Sequence, residues 1–142
     1  MNVVLDTCVV SELVARAPEA QVLGWLDALD LRTVYLSVIT IGEIQRGIAR
    51  LPSSRRRATL ESWLDDDLVP RFDGQILAID TAVMRTWGII VAGAEAGGRT
   101  LPVMDSLIAA TAITHRCQLA THNGKDFEAT GVSIVDPWAG GA

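Results

Sequence analysis

Five short apolar runs recur along the chain, at Asn2–Leu5, Val34–Leu36, Ile76–Ile79, Gln118–Ala120 and Ser133–Val135, and stretches of helical period separate them. A strand with one wet face alternates apolar and polar residues, whereas a strand covered by helices on both faces reads as an unbroken apolar run. The repeating order of run and helix therefore predicts an α/β fold, with parallel strands joined by crossover helices. At 142 residues the chain suits one domain, expected to remove roughly 70% of its unfolded surface from water. No linker, repeat or composition shift divides it, so residues 1–142 are expected to form a single unit, with 139–142 (Ala-Gly-Gly-Ala) as a flexible tail.

Several function classes fall away on composition. No run approaches the ~20 apolar residues of a membrane helix, and the start of the chain has neither a basic flank nor a small-residue cleavage site. Met1 to Leu5 is better read as a first strand than as a signal peptide, which points to a cytoplasmic protein. Cys8 and Cys117 lie far apart without a Cys-x-x-Cys pattern, which argues against both a disulfide framework and a structural zinc site. The formal charge of −5 argues against nucleic acid, yet Arg46, Arg50 and Arg55-Arg56-Arg57 gather basic charge in one region. Those arginines are read as either a solvated helix face or a set of phosphate contacts.

The helices have legible edges. Ile41, Ile44 and Ile48 repeat at spacings of three and four, leaving Glu43, Arg46, Gly47 and Arg50 off the apolar stripe. Ser37 is one candidate cap for this helix. The alternative is a capping box, Thr40-x-x-Glu43, in which Glu43 would bond backbone N–H instead of doing chemistry. A second helix is expected from Ser53 or Ser54 to Leu68, with Asp65-Asp66-Asp67 on a solvated face. A third is expected over Thr81–Glu95, ending before Gly97-Gly98 and Pro102, and Asp105 then falls in the first turn of a fourth.

Ligands of parallel sheets bind at the carboxyl ends of the strands. Asp6 ends the first run, Glu43 lies on the helix after the second, Asp105 opens the helix before the fourth, and Asp126 follows that fourth run in ATHNGKDF. Two unit charges ~4 Å apart repel by about 4 kcal/mol at an effective dielectric near 20, so four converging carboxylates require protons or a multivalent cation. Hard oxygen donors without organised His or Cys point to Mg²⁺ or Mn²⁺, and such an ion suits phosphodiester hydrolysis. Thr7, Ser11, Thr121 and Asn123 stand beside these acids as neutral groups able to orient them, or as ordinary turn and cap residues. Cys8 and His122 are softer candidate ligands, more simply read as packing and hydrogen-bonding groups. Glu12 falls on the following helix, where a charge needs no special role.

LDTCVVSE with Asp6 and Ser11, SVITIGEIQRGI with Glu43, MDSLIAATA with Asp105, ATHNGKDF with Asp126 and the ending GVSIVDPW together resemble the PIN-domain ribonucleases. Within that family they resemble the VapC- and FitB-type toxins of type II toxin–antitoxin pairs. The resemblance implies a three-layer α/β/α sandwich around a parallel sheet of about five strands. It implies Mg²⁺- or Mn²⁺-dependent cleavage of RNA, with Asp6, Glu43, Asp105 and Asp126 as the metal-binding acids and Thr121 beside them. It also implies a homodimer that assembles further with a cognate antitoxin and meets DNA only through that antitoxin, with no membrane role. Arg46 and Arg50 are the candidate RNA or antitoxin contacts. One residue departs from the pattern: Cys8 stands where the family has Asn directly after Asp-Thr.

Rival readings remain. A phosphatase that carries its nucleophile after a first strand needs a second acid two residues on, where this chain has Cys8. A phosphoacceptor domain needs a Lys after a later strand, and Lys125, the only Lys, lies in another motif. A catalytically weak PIN-like module that acts mainly in a DNA-bound antitoxin complex is the alternative from a different class. Trp25, Trp63, Trp87 and Trp138 fit packing at least as well as base stacking.

Overall fold

A computed structural model describes residues 1–139. Five strands, β1 (Val3–Leu5), β2 (Val34–Ser37), β3 (Ile76–Leu77), β4 (Gln118–Ala120) and β5 (Ile134–Val135), form one sheet in the order β3-β2-β1-β4-β5. Every neighbouring pair is parallel, with Val3 opposite both Val34 and Gln118. The helices are α1 (Thr7–Ser11), α2 (Ala20–Asp27), α3 (Val38–Ala49), α4 (Arg55–Trp63), α5 (Val69–Arg71), α6 (Thr81–Ala96) and α7 (Val103–Thr114). None is long and apolar enough to cross a membrane among the described residues.

The three layers follow from the two-residue period of a strand. Val3 and Leu5 point into one core, with Val9, Val22, Leu64, Leu68 and Phe72 of the α1–α5 side. Val4, between them, points into the other, with Ile108, Ala109 and Ala112 of α7 and Phe127. Both faces of β1 are thus apolar, which is why Val3-Val4-Leu5 reads as an unbroken run. Leu119 and Ala120 of β4 divide between the same two cores.

Helix boundaries agree with their local chemistry. Ser54 Oγ accepts the Arg57 N–H at 3.1 Å and starts α4, whose path continues through one π-turn, Leu64–Leu68, into α5. The helical path therefore extends three residues beyond the expected end at Leu68, to Arg71. Pro70 has no N–H to give to the preceding turn, and a π-turn just ahead of it is a place where the ladder already departs from the regular pattern. Asp67 pairs with Arg71 one turn on at 2.8 Å, while Asp65 and Asp66 face solvent. Asp80 caps α6 by accepting the Val83 N–H at 2.9 Å, and that helix stops at Gly97 before Gly98 takes φ +78°. Ala139 closes a turn on the Asp136 carbonyl at 3.1 Å, and the remainder of the expected tail, 140–142, lies outside the described residues.

Candidate active site

The strand order reverses at β1: β2 and β3 lie on one side of it, β4 and β5 on the other. Crossover helices leaving in opposite directions open a crevice at the carboxyl ends of the two central strands, the usual ligand position in such sheets. Asp6 and Thr121 are the first residues after β1 and β4, and the Asp6 N–H donates to the Ala120 carbonyl at 2.9 Å.

Asp6 is only 6% exposed, and its carboxylate is held by hydrogen-bond donors, with no paired cation among the described residues. Oδ1 accepts the Thr7 N–H at 2.9 Å at the start of α1, and Oδ2 accepts the Thr121 hydroxyl at 2.7 Å. The Cys8 thiol donates more weakly to the same Oδ2 at 3.6 Å and lies 3.7 Å from Thr121 Oγ1. Burial is the main influence holding the Cys8 thiol above its ordinary pKa, so it remains protonated and acts as a donor. It serves there as a hydrogen-bonding group.

Glu43 projects from α3 with no capping duty. Ser37 caps that helix by accepting the Ile39 N–H at 3.1 Å, which leaves Thr40 inside it, fully buried. The capping-box alternative is therefore not the one adopted. Thr7 Oγ1 lies 2.5 Å from Glu43 Oε1 and 3.2 Å from Thr40 Oγ1. With one hydroxyl proton to give, Thr7 gives it to the carboxylate, the closer and charged partner. Through its backbone and its side chain Thr7 thus steadies two acids from separate strand ends. Thr40 carries no sequence signal of a site residue beyond being polar within an apolar helical stripe, and the capping box explains that signal equally well.

Asp105 lies in the first turn of α7, half-buried, and its pKa is raised. Burial is the larger cause; the like charges of Asp6, Asp126 and Glu43 follow in that order. Asp105 therefore lies within electrostatic reach of each of the other three predicted acids. Asp126, at the start of the short helical turn Gly124–Thr130, is the most open of them. The four do not close into a ready-made chelate: among the described residues no group of three His, Cys, Asp or Glu side chains is arranged to hold one ion. Their oxygen donors fit Mg²⁺ or Mn²⁺ by type, and Mg²⁺ commonly uses one or two carboxylates and fills its remaining positions with water.

The other predicted residues divide by how they reach this rim. Asn123 contributes its backbone: its N–H donates to Thr121 Oγ1 at 3.0 Å and its carbonyl accepts the Asp126 N–H at 2.9 Å. Ser11 is exposed at the end of α1, lining a cleft beside Thr7 and Glu43. The His122 ring packs on Trp138 at a 36° tilt, with ring centroids 4.5 Å apart, and sits 3.5 Å from Asp136, so its side chain has a packing role. Glu12 accepts the Glu19 N–H at 3.0 Å, also away from the acids. Arg46 lines a second cleft with Glu43 and Met104. Arg46 and Arg50 are exposed and have no acidic partner among the described residues. The neighbouring cluster divides: Arg56 donates to the Val14 carbonyl at 2.7 Å and Arg57 pairs with Glu61 at 2.8 Å, so these two support the fold.

The PIN domain family model matches residues 3–132. VapC ribonuclease Y4jK of Sinorhizobium fredii is 38% identical over 136 residues, covering 96% of this chain and 97% of that protein. Toxin FitB of Neisseria gonorrhoeae is 36% identical over 136 residues, covering 96% and 98% respectively. The crystal structure of FitAcB from Neisseria gonorrhoeae matches with a TM-score of 0.92 over 96% of this chain and 99% of that one, at 36% identity. The structure of FitAB bound to an IR36 DNA fragment matches with a TM-score of 0.91 at 35% identity, over 96% of this chain and 95% of that one. With the family model spanning nearly the whole chain and these relatives matching it end to end, the chain belongs to the PIN-domain family, alongside VapC and FitB.

Proposed function

We propose that the protein is the toxin of a type II toxin–antitoxin pair and a metal-dependent endoribonuclease. The observation that carries this reading is that Asp6, Asp126 and Glu43 all bear on Asp105 at the switch point of the sheet. Mg²⁺ or Mn²⁺ bound at this rim would lower the pKa of an attacking water and offset charge on a phosphodiester. The residues prepare that chemistry in distinct ways. Thr7 and Thr121 fix the Asp6 carboxylate, and the Thr7 hydroxyl also donates to Glu43. Asp105 retains a proton to higher pH than an ordinary carboxylate, which relieves repulsion in the free protein. Asp126, the most open acid, is the one most accessible from solvent. Arg46 and Arg50, on the helix that carries Glu43, are suited to contact RNA phosphates or an acidic stretch of an antitoxin.

The relatives support a partnered life for this chain. The FitAB structure is bound to a DNA fragment, and by analogy this chain would work as a homodimer bound to its antitoxin, touching DNA through that partner. A second reading, a catalytically weak module that acts chiefly inside such a complex, draws on the carboxylates' lack of a preformed chelate. The two separate in one experiment: purified antitoxin-free protein is offered an RNA panel with Mg²⁺, with Mn²⁺ and with EDTA, beside Asp6→Asn. Metal-dependent cleavage abolished by the substitution is expected. Cleavage that survives EDTA or Asp6→Asn would refute the proposed site, and inertness toward every RNA would favour the binding module.

A further inference from the structure

Asp6 and Glu43 each accept hydrogen bonds at the rim, whereas burial and the like charges of its three neighbours act on the Asp105 carboxylate, with no donor among them. Asp105 also rides on the first turn of α7, and helix ends are where fraying starts. Pro102 stands at the cap position and offers no side-chain hydrogen bond, while Val103 and Met104 lie exposed. Residues 98–101, which lead into the turn, contain no helix or strand and are mostly exposed. Ser106 is different. Only 1% exposed, it donates its hydroxyl to the Val103 carbonyl at 2.8 Å and accepts the Trp87 indole N–H, from α6, at 2.9 Å. We infer that Trp87 and Ser106 form a relay that positions Asp105, holding the first turn of α7 against α6 so that this carboxylate stays at the metal-binding rim. This role rests on the metal-dependent nuclease reading and adds two positioning residues to it.

Each half of the relay has an ordinary explanation, since a helical serine can bond the carbonyl one turn back and a partly buried indole needs an acceptor. Three features go beyond those habits. Ser106 precedes a packed stretch in which Ile108, Ala109, Ala110 and Ala112 are fully buried, and alanine at 106 would suit the helix better than serine. The hydroxyl therefore has work that a methyl group cannot do. Its acceptor is Val103, so the bond closes the turn across Asp105 itself. The indole then supplies what no residue of α7 can, an anchor outside that helix: Trp87 lies in the interior of α6, whose own start is fixed by the Asp80 cap at 2.9 Å. Repulsion from Asp6, Asp126 and Glu43 acts to drive Asp105 away from the rim while no cation offsets it, and fraying of the first turn is the easy response. The Trp87–Ser106–Val103 bonds oppose that movement.

Two measurements separate positioning from plain packing: Mn²⁺ affinity, followed by electron paramagnetic resonance of the free ion, and amide exchange along α7. Ser106→Ala and Trp87→Phe are compared with their double variant, with Ser106→Thr and with Asp105→Asn. A neutral hydrogen bond changes an equilibrium by about fivefold. Each single variant should therefore speed exchange of the Leu107 amide about fivefold, leave Thr111 and Ala112 unaffected, and weaken Mn²⁺ binding by about two- to fivefold. The double variant should lose no more than the worse single one, because the two residues act as a unit. Ser106→Thr keeps the hydroxyl and should bind Mn²⁺ as the unsubstituted protein does. Unchanged Mn²⁺ affinity in both single variants overturns the inference even if exchange or urea stability shifts, because the bond then only joins two helices. Additive losses in the double variant overturn it as well. Asp105→Asn tests the reading beneath: if it binds Mn²⁺ as tightly as the unsubstituted protein, the metal role of Asp105 fails and takes the relay with it. A loss of affinity in Asp105→Asn alone overturns the relay and leaves that reading standing.

Discussion

Thr121→Val isolates the bond on which the buried Asp6 most depends. Thr121 is fully buried, and its hydroxyl donates to Asp6 Oδ2 at 2.7 Å while accepting the Asn123 N–H at 3.0 Å. Valine keeps the shape, so no cavity contribution is expected and the hydroxyl is what the experiment removes. A hydrogen bond to a charged group contributes about 1.5–3 kcal/mol net. The Asn123 N–H sits on an exposed residue and regains water, adding little. The thiol at 3.6 Å is too weak a donor to compensate for Oδ2. Thr121→Val should therefore cost about 2–3 kcal/mol in urea unfolding at neutral pH with EDTA present, or roughly 6–9 °C in Tm for a chain of this size. Thr121→Ser retains the donor and loses one methyl, for about 1 kcal/mol. Equal costs for Val and Ser, or a Val cost under about 0.5 kcal/mol, would mean that the hydroxyl does not sustain the buried carboxylate.

Other perturbations probe the rim from different sides. An acid whose folded pKa lies above its unfolded one contributes fully below the ordinary value of 3.8 and loses that contribution as pH rises through the raised pKa. Asp105→Asn should accordingly flatten the fall in stability above that value and leave the metal-free protein more stable at neutral pH; an unchanged stability–pH curve would show that Asp105 carries no repulsive load. Cys8→Asn should keep or raise metal-dependent cleavage, since an amide can donate to Asp6 in place of the thiol, and a large loss would show that sulfur has a role of its own. Cys8 should also react slowly with iodoacetamide at pH 8 until the protein unfolds, because burial holds its thiol protonated; rapid labelling of the folded protein would contradict the geometry. Replacing Arg46 and Arg50 together by Gln should weaken RNA binding and flatten its salt dependence, whereas an unchanged salt slope would assign both to a solvated face.

The sequence alone determined the class of fold and the set of acids worth considering. Runs such as Val3-Val4-Leu5 have no polar face because β1 is covered on both sides, and that requirement is written residue by residue. Asp6 was legible for the same reason, since a carboxylate that interrupts an apolar run marks the strand's end. Ser37 was legible as one candidate cap, and Ser53 or Ser54 as a helix start, because such signals are local chemistry. The choice between Ser37 and the Thr40–Glu43 box was not, because both patterns are locally sound and only the position of Thr40 beside Thr7 distinguishes them. The order β3-β2-β1-β4-β5 likewise belongs to tertiary structure: strand order depends on which faces pack, and it alone brings Thr121 against Asp6 across 115 positions of sequence. Tertiary structure also decided that Asn123 serves through its backbone and that Arg56 and Arg57 are committed to the fold while Arg46 and Arg50 have no acidic partner among the described residues. Each of these depends on which neighbour arrives from a distant segment, and no spacing within a single segment can encode that.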